Sequence, residues 1–446
     1  MRLTGKGDSK RLLFIWIYRL IFAPIALLLT PKYLLKMRRR GECKGTLSMR
    51  LGIGIEDWPR TPGKRRVWMQ AVSLGEILVI EGLLRKLVED PKVELLLTTT
   101  TSTGYRLAKE KYSEICDRIY YFPLDFWPFV RKFWNRLRPD LVICAETELW
   151  PEHMQQAANA GVPMVLVNGR LSDRSFKYAR KLKWAYGSHM LFLSKDMAIS
   201  KVDSSRFIAM GVPSDWVLVS GNLKLDVSID EILDEEQKRE LRASLGLGDS
   251  FVLLGSSTWP GEEETLLSIF RDLRERLPEC KLLLVPRHVE RRSEIRTMLE
   301  QNASDLTYRF KSESDTFAPL DILVADTNGE LRVLTQLSDL AFIGKSLPPC
   351  REGQTPIECG LLGVPMVFGS GMSNFKSVCE GMIKMGAAIQ LSDVDSLREA
   401  IESLALDEAA RQEMTQRQSK WAVASRGALA RTFAAIEGFI RDGGPK

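Results

Sequence analysis

The sequence predicts an α/β protein made of two doubly wound, Rossmann-like units. Three observations carry that expectation. Short apolar runs of strand length alternate with amphipathic, helix-like stretches from Val67 onward. The alternation breaks once, at the polar stretch 222–249, and resumes at Phe251. Finally, 446 residues with 45% hydrophobic content can bury two cores, since single domains commonly stop at roughly 100–200 residues.

In chain order, the first feature is an apolar run over residues 12–29, LLFIWIYRLIFAPIALLL. It approaches the roughly 20 residues needed to cross a bilayer and is interrupted by Arg19 and Pro24, so it either spans or lies flat. Lys32, Lys36, Arg38, Arg39, Arg40 and Lys44 follow it and outnumber Arg2, Lys6, Lys10 and Arg11 in front. The positive-inside rule then places the bulk of the chain on the cytoplasmic side of the membrane. No small-residue cleavage site precedes the basic run, which argues against a removed signal peptide. Residues 1–45 are accordingly read as a membrane-associating helix with a basic segment.

The first strand is expected at 67–72, with a helix from about Glu76. Further strands are expected at 93–99, 119–122, 140–145, 163–168, 190–194 and 217–220, giving a first domain over 46–228. After the linker, strands at 251–254, 281–285, 321–325, 339–343 and 364–368 give a second domain over 229–446, whose last helix is free to pack back on the first. Ligands of open α/β sheets bind beyond the carboxyl ends of the strands, so the site is expected in a cleft between the two domains.

The net charge of +6 conceals a division, with +10 in residues 1–50 and −4 over the remainder. A basic excess confined to one end suits an anionic membrane surface, whereas a nucleic-acid footprint spreads over a fold. Nucleic acid is therefore not an expected partner. Seven cysteines, at 43, 116, 144, 280, 350, 359 and 379, form no CxxC pair and fit a reducing compartment. The three histidines, His153, His189 and His288, are too dispersed for a zinc site, and no metal is expected.

Polar groups gather at the predicted strand ends. Glu76, in AVSLGE, opens a helix, where a carboxylate serves either as a cap or as a base. Glu146 and Glu148 arrive at the end of the buried strand PDLVICA, where charges are costly unless paired or used; capping and function both remain open. Lys224, in GNLKLD, reads on its own as a solvated lysine. In the second half, the hydroxyl-rich turn Gly255–Thr258 with Gly261–Glu264 is a candidate phosphate cradle. Arg287 at a strand tip is a natural bidentate phosphate contact. Asp326–Glu330 opens one helix. Thr355, Pro356 and Glu358 open another as N-cap, N1 and N3, the capping-box pattern.

These segments together resemble the bacterial transferases of 3-deoxy-D-manno-oct-2-ulosonic acid (Kdo). The likeness runs from about residue 12 to the C-terminus through AVSLGE (71–76), TTTTSTG (98–104), ETELWP (146–151), NGRLSDRS (168–175), GNLKLD (221–226), PRH (286–288), DTNGEL (326–331) and NFK (374–376). The pair ETELWP and NGRLSDRS is the specific part. The resemblance implies the GT-B architecture and the transfer of Kdo from CMP-Kdo to a lipid A precursor, lipid IVA, at the cytoplasmic face of the inner membrane. By position, it implies that Glu76 is the catalytic base and that Glu146 and Lys224 stabilise the transition state. Pro286 and Arg287 match the cytidine-phosphate contact, and Asn328, Gly329 and Glu330 with Thr355, Pro356, Ile357 and Glu358 match the loops that hold the rest of CMP. No cofactor is implied, since CMP-Kdo is the donor substrate.

Two positions depart from the family pattern. Trp259 follows Thr258 where the family has histidine, and Gln354 stands where a second histidine is usual; glutamine hydrogen-bonds but cannot carry a proton. Two other readings fit the same segments: a GT-B enzyme using another nucleotide sugar, such as a UDP-sugar transferase or epimerase, and a membrane-bound relative that binds lipid or CMP without turnover.

Overall fold

A computed structural model describes residues 12–25, 28, 46–181, 183–226, 232–314 and 316–442. Contacts divide the chain into two compact units, Met1–Val227 with Arg426–Lys446, and Ser228–Ser425.

The first unit holds seven parallel strands: β1 (Arg65–Gln70), β2 (Val93–Thr99), β3 (Arg118–Tyr121), β4 (Leu141–Ala145), β5 (Met164–Gly169), β6 (Leu193–Ala198) and β7 (Val217–Val219). Their order is β3-β2-β1-β4-β5-β6-β7, with every neighbouring pair parallel. A parallel sheet covered on both faces needs apolar residues on both, which is why these strands read as continuous apolar runs. Val67 and Met69 enter one core with Ile77, Leu83 and, from the last helix, Ile436 and Ile440. Trp68, between them in sequence, enters the opposite core with Phe133 and Met154. The C-terminal helix Ala428–Asp442 thus completes one face of this unit.

The second unit repeats the plan with β8 (Val252–Thr258), β9 (Lys281–Pro286), β10 (Tyr308–Phe310), β11 (Ile322–Val324), β12 (Leu340–Ile343), β13 (Met366–Gly369) and β14 (Ile389–Leu391). Its order is β10-β11-β9-β8-β12-β13-β14, again all parallel. The connections leaving adjacent strands diverge between β1 and β4 in the first sheet and between β8 and β12 in the second. Crevices at such points are where doubly wound sheets receive ligands.

Three local expectations need correction. The strand placed at 190–194 begins instead at Leu193, because His189 and Met190 end the helix Lys183–Met190 and the apolar run continues without a break from helix into strand. The polar stretch 222–249 contains a helix, Glu235–Ser244, closed by a capping box between Asp234 and Gln237. Two strands went unread, Tyr308–Phe310 and Ile389–Leu391. Each has three residues and lies at a sheet edge, too short to show a period.

Among the described residues no helix is long and apolar enough to cross a membrane. Residues 12–25 are helical and pack on the first unit. Ile15 is buried, Tyr18 donates to Asp125 at 2.7 Å, and Arg19 makes a two-pronged ion pair with the buried Glu152 at 2.8 and 2.9 Å. The outward face carries Leu13, Trp16, Leu20 and Ile21, all exposed. The expected run 12–29 is described only in part, and the basic residues 32–44 lie outside the described residues.

Candidate active site

In the first unit, the loop leaving β1 and the loop leaving β4 meet the winding reversal. Ser73 caps the helix Leu74–Val88, and its hydroxyl accepts the Glu76 N–H. The Glu76 carboxylate reaches back, accepting the Val72 N–H at 2.8 Å and the Ser73 hydroxyl at 3.2 Å. Both readings of Glu76 are thus compatible: it is part of a cap, and it stands on the ligand-facing edge of the sheet. Burial pushes its carboxyl up to about 7, against the Val72 hydrogen bond, with Glu146 and Glu148 adding to the rise. A carboxyl poised there is suited to exchange a proton near neutrality.

The threonines of TTTTSTG buttress that loop. Thr99 donates its hydroxyl to the Val72 carbonyl at 3.0 Å, and the Thr100 and Thr101 N–H groups point to the same carbonyl. Gly104 leaves room for them, since a Cβ there would stand 2.6 Å from the Thr99 hydroxyl.

Glu146 follows β4 directly, with φ of 57°, left-handed for a residue that has a Cβ. Such strain costs about 1–3 kcal/mol and persists where the surroundings impose it. Here they do: Glu146 is buried, and its N–H bonds to the Val167 carbonyl. Its carboxylate accepts from Arg170 Nε at 2.8 Å and stands 3.7 Å from Lys224 Nζ. Lys224 is therefore part of a charge cluster and not merely solvated. Asn168, also left-handed at φ 54°, accepts the Leu223 N–H at 3.0 Å and fixes the helical turn that carries Lys224. Arg170 and Asn168 both lie in NGRLSDRS, and the sequence suggested no role for either. The available signal was two polar residues at the tip of a buried strand. Glu148 is held instead by the Trp150 indole at 2.7 Å.

In the second unit the expected nucleotide residues sit on loops at the carboxyl edge of the sheet. Pro286 ends β9, and Arg287 beyond it is exposed, with its N–H tied to the Thr258 carbonyl. Asn328, Gly329 and Glu330 precede the helix Leu331–Gln336, and Lys311 pairs with Glu330 at 2.8 Å. Thr355, Pro356, Ile357 and Glu358 follow β12, but the helix starts at Ile357 with Pro356 as its cap. The expected capping box is not formed. The Thr355 hydroxyl accepts the Ile357 N–H at 3.3 Å and donates to Glu358 at 2.9 Å, so the Glu358 carboxylate never reaches the Thr355 N–H.

The turn expected to cradle phosphate is occupied by the chain's own carboxylate. Glu262, at the start of the helix Glu262–Arg276, is buried and accepts the N–H groups of Trp259, Lys345, Ser346 and Leu347. Glu263 takes the Thr258 hydroxyl and Arg291. Among the described residues no cluster of histidine, cysteine, aspartate or glutamate is arranged to hold a metal ion.

The family model of 3-deoxy-D-manno-octulosonic-acid transferase (kdotransferase) matches residues 46–227. The 3-deoxy-D-manno-octulosonic acid transferase of Rickettsia bellii is 30% identical over 372 residues, covering 80% of this chain and 86% of that protein. A bifunctional glycosyltransferase/methyltransferase of Fusobacterium nucleatum is 29% identical over 353 residues, 78% of this chain, and the chain spans 54% of its length. Among solved structures, the UDP-GlcNAc 2-epimerase from Neisseria meningitidis bound to UDP-GlcNAc matches with a TM-score of 0.60 over 83% of this chain and 99% of that one. At 14% identity, that likeness is one of fold: two Rossmann-like α/β units. The match to full-length relatives, together with the family model over the first unit, shows that this chain belongs to the 3-deoxy-D-manno-octulosonic acid transferases, a family of glycosyltransferases.

Proposed function

We propose that the chain moves Kdo from CMP-Kdo to a hydroxyl of a lipid A precursor of the lipid IVA type, with Glu76 as general base. The observation that carries the reading is the placement of Glu76, a carboxyl raised to about 7 at the winding reversal of the first sheet. The acceptor oxygen forms a bond to the anomeric carbon as the bond from that carbon to the phosphate oxygen breaks. The bonding pair leaves with CMP, the acceptor proton passes to Glu76, and the anomeric centre inverts. General-base help of this kind contributes about 10²–10⁴ in rate.

Glu146, Arg170 and Lys224 supply a fixed arrangement of charge in the first unit, and Lys224 is the cation assigned to the charge that develops in the transition state. In the second unit Pro286, Arg287, Asn328 to Glu330 and Thr355 to Glu358 are assigned to CMP. Only one phosphate departs, so side-chain cations suffice and no metal is required.

The helix over 12–25 supports work at a membrane surface. Its inward face is committed to protein, including the charged Arg19, which leaves Leu13, Trp16, Leu20 and Ile21 for lipid. An apolar outer face followed in sequence by six basic residues is the pattern of a helix lying in the interface of an anionic leaflet. The cytoplasmic face of the inner membrane is where a lipid A precursor would be met.

The direct test is incubation with CMP-Kdo and tetraacylated lipid A precursor, followed by mass spectrometry of the lipid. A gain of one or more Kdo masses supports the reading. An unchanged lipid, under conditions where a known Kdo transferase is active, refutes it.

A further inference from the structure

In the second sheet the winding reverses between β8 and β12, and the residues just beyond these two strands include Trp259 and Lys345. Lys345 has φ of 56°, a left-handed backbone that glycine adopts freely and lysine does not. Ser257, near the end of β8, is left-handed too, at 55°. The two strand ends approach so closely that a Cβ on Gly344 would lie 2.5 Å from the Ser257 carbonyl oxygen. Strained backbone of this sort clusters where a side chain must be held for use.

Both loops are fixed by one buried group. The Glu262 carboxylate accepts the N–H of Trp259 at 2.8 Å and those of Lys345 and Ser346 at 2.7 and 2.9 Å. The Lys345 ammonium then lies 4.4 Å from the centre of the Trp259 ring and 3.7 Å from the Glu352 carboxylate. The Trp259 ring also meets the His288 ring at 5.2 Å, edge to face. His288 directly follows Arg287, a residue already assigned to the nucleotide. A partly dehydrated cation seated on an indole, at the ligand-receiving edge, is a binding group for an oxyanion.

We propose that Lys345, seated on Trp259, is a donor-binding residue that holds an oxygen of the anionic nucleotide sugar, either the phosphate or the carboxylate of the sugar acid. The inference rests on the Kdo-transfer reading and adds a contact to it. It also accounts for Trp259, which stands where the family has histidine: the indole carries the cation that the site uses in place of a protonatable ring.

The test compares the full-length parent with Lys345→Gly, which suits the backbone, and Lys345→Arg, which keeps the charge. Affinities for CMP and cytidine are measured by calorimetry and KM for CMP-Kdo by turnover. If Lys345 holds the phosphate, Lys345→Gly weakens CMP about tenfold and leaves cytidine unchanged. Should it hold the sugar carboxylate, CMP affinity is unchanged and KM for CMP-Kdo rises about tenfold. In either case Lys345→Arg recovers most of the loss, and Lys345→Gly melts no lower than the parent. CMP affinity and CMP-Kdo KM both within about twofold of the parent in Lys345→Gly would overturn the proposal, as would equal damage from Lys345→Arg. A parent that neither binds CMP nor uses CMP-Kdo brings down the Kdo reading itself, an outcome distinct from a working parent that is indifferent to position 345.

Discussion

Glu146 accepts a hydrogen bond from Arg170 at 2.8 Å and holds Lys224 at 3.7 Å, from a backbone position that is itself left-handed. One buried carboxylate thereby sets the position of two cations drawn from different loops. Glu146→Gln keeps the shape and removes the charge, so Lys224 loses the carboxylate it pairs with. Transfer is expected to fall by about 10²–10³ in kcat, the scale for losing one preorganised electrostatic group, while CMP affinity stays within about twofold because CMP is assigned to the second unit. Calorimetry and steady-state kinetics on the same preparation check this; a loss confined to CMP binding would remove Glu146 from the chemistry.

The same residue bears on the base. Glu76 is raised first by burial and then by the nearby charges of Glu146 and Glu148. As a base it works ionised, so kcat/KM is expected to climb with pH through about 7 and level off above it. Glu76→Gln is expected to abolish transfer with CMP binding intact. In Glu146→Gln the residual activity should show its rise at lower pH, because one source of the elevation has gone. A pH profile that is flat from about 5 to 9 in the parent would exclude Glu76 as the titrating base.

Stability carries an independent signature of that carboxyl. Its pKa in the folded state is raised above the ordinary value of 4.5, so the folded state binds its proton more tightly than the unfolded state. The associated stability is fully present below about 4.5 and is lost as pH rises through about 7. Glu76→Gln removes this titration. The melting temperature of the variant should therefore gain on the parent between about pH 5 and pH 8, even as activity disappears; a constant difference across that range would refute the elevated pKa.

How far these features could be read beforehand depended on their physical kind. Strands buried on both faces announce themselves as apolar runs, so β2, over Val93–Thr99, was legible to the residue. Tyr308–Phe310 and Ile389–Leu391 offered three residues each and no period. Within the site, Glu76 was visible because a carboxylate after a glycine turn marks a helix start. The ion pair of Lys224 with Glu146 was not, because the two residues lie far apart in the sequence and meet only in the folded unit. The left-handed backbones of Glu146 and Lys345 are properties of packing, and no residue type advertised them. Glu262 misled in the opposite direction: its position at a helix start suggested room for phosphate, yet its own carboxylate fills that role for four backbone N–H groups.

The helix over 12–25 separates two contributions that a simple deletion would confuse. Arg19 is largely covered and Glu152 is fully buried, so Arg19→Ala leaves a carboxylate in the interior without its partner. Breaking a buried pair in this way typically costs about 3–5 kcal/mol, and the variant should melt several degrees lower whether or not lipid is present. Leu13→Ser with Leu20→Ser removes exposed apolar surface instead and should leave the melting temperature unchanged. Its effect should appear only with vesicles: binding to phosphatidylglycerol-containing vesicles weakens, and transfer to vesicle-embedded acceptor falls while transfer to detergent-dispersed acceptor does not. If the double variant binds such vesicles as well as the parent does, the outer face of this helix is not a membrane contact, and the proposed surface attachment through it is refuted.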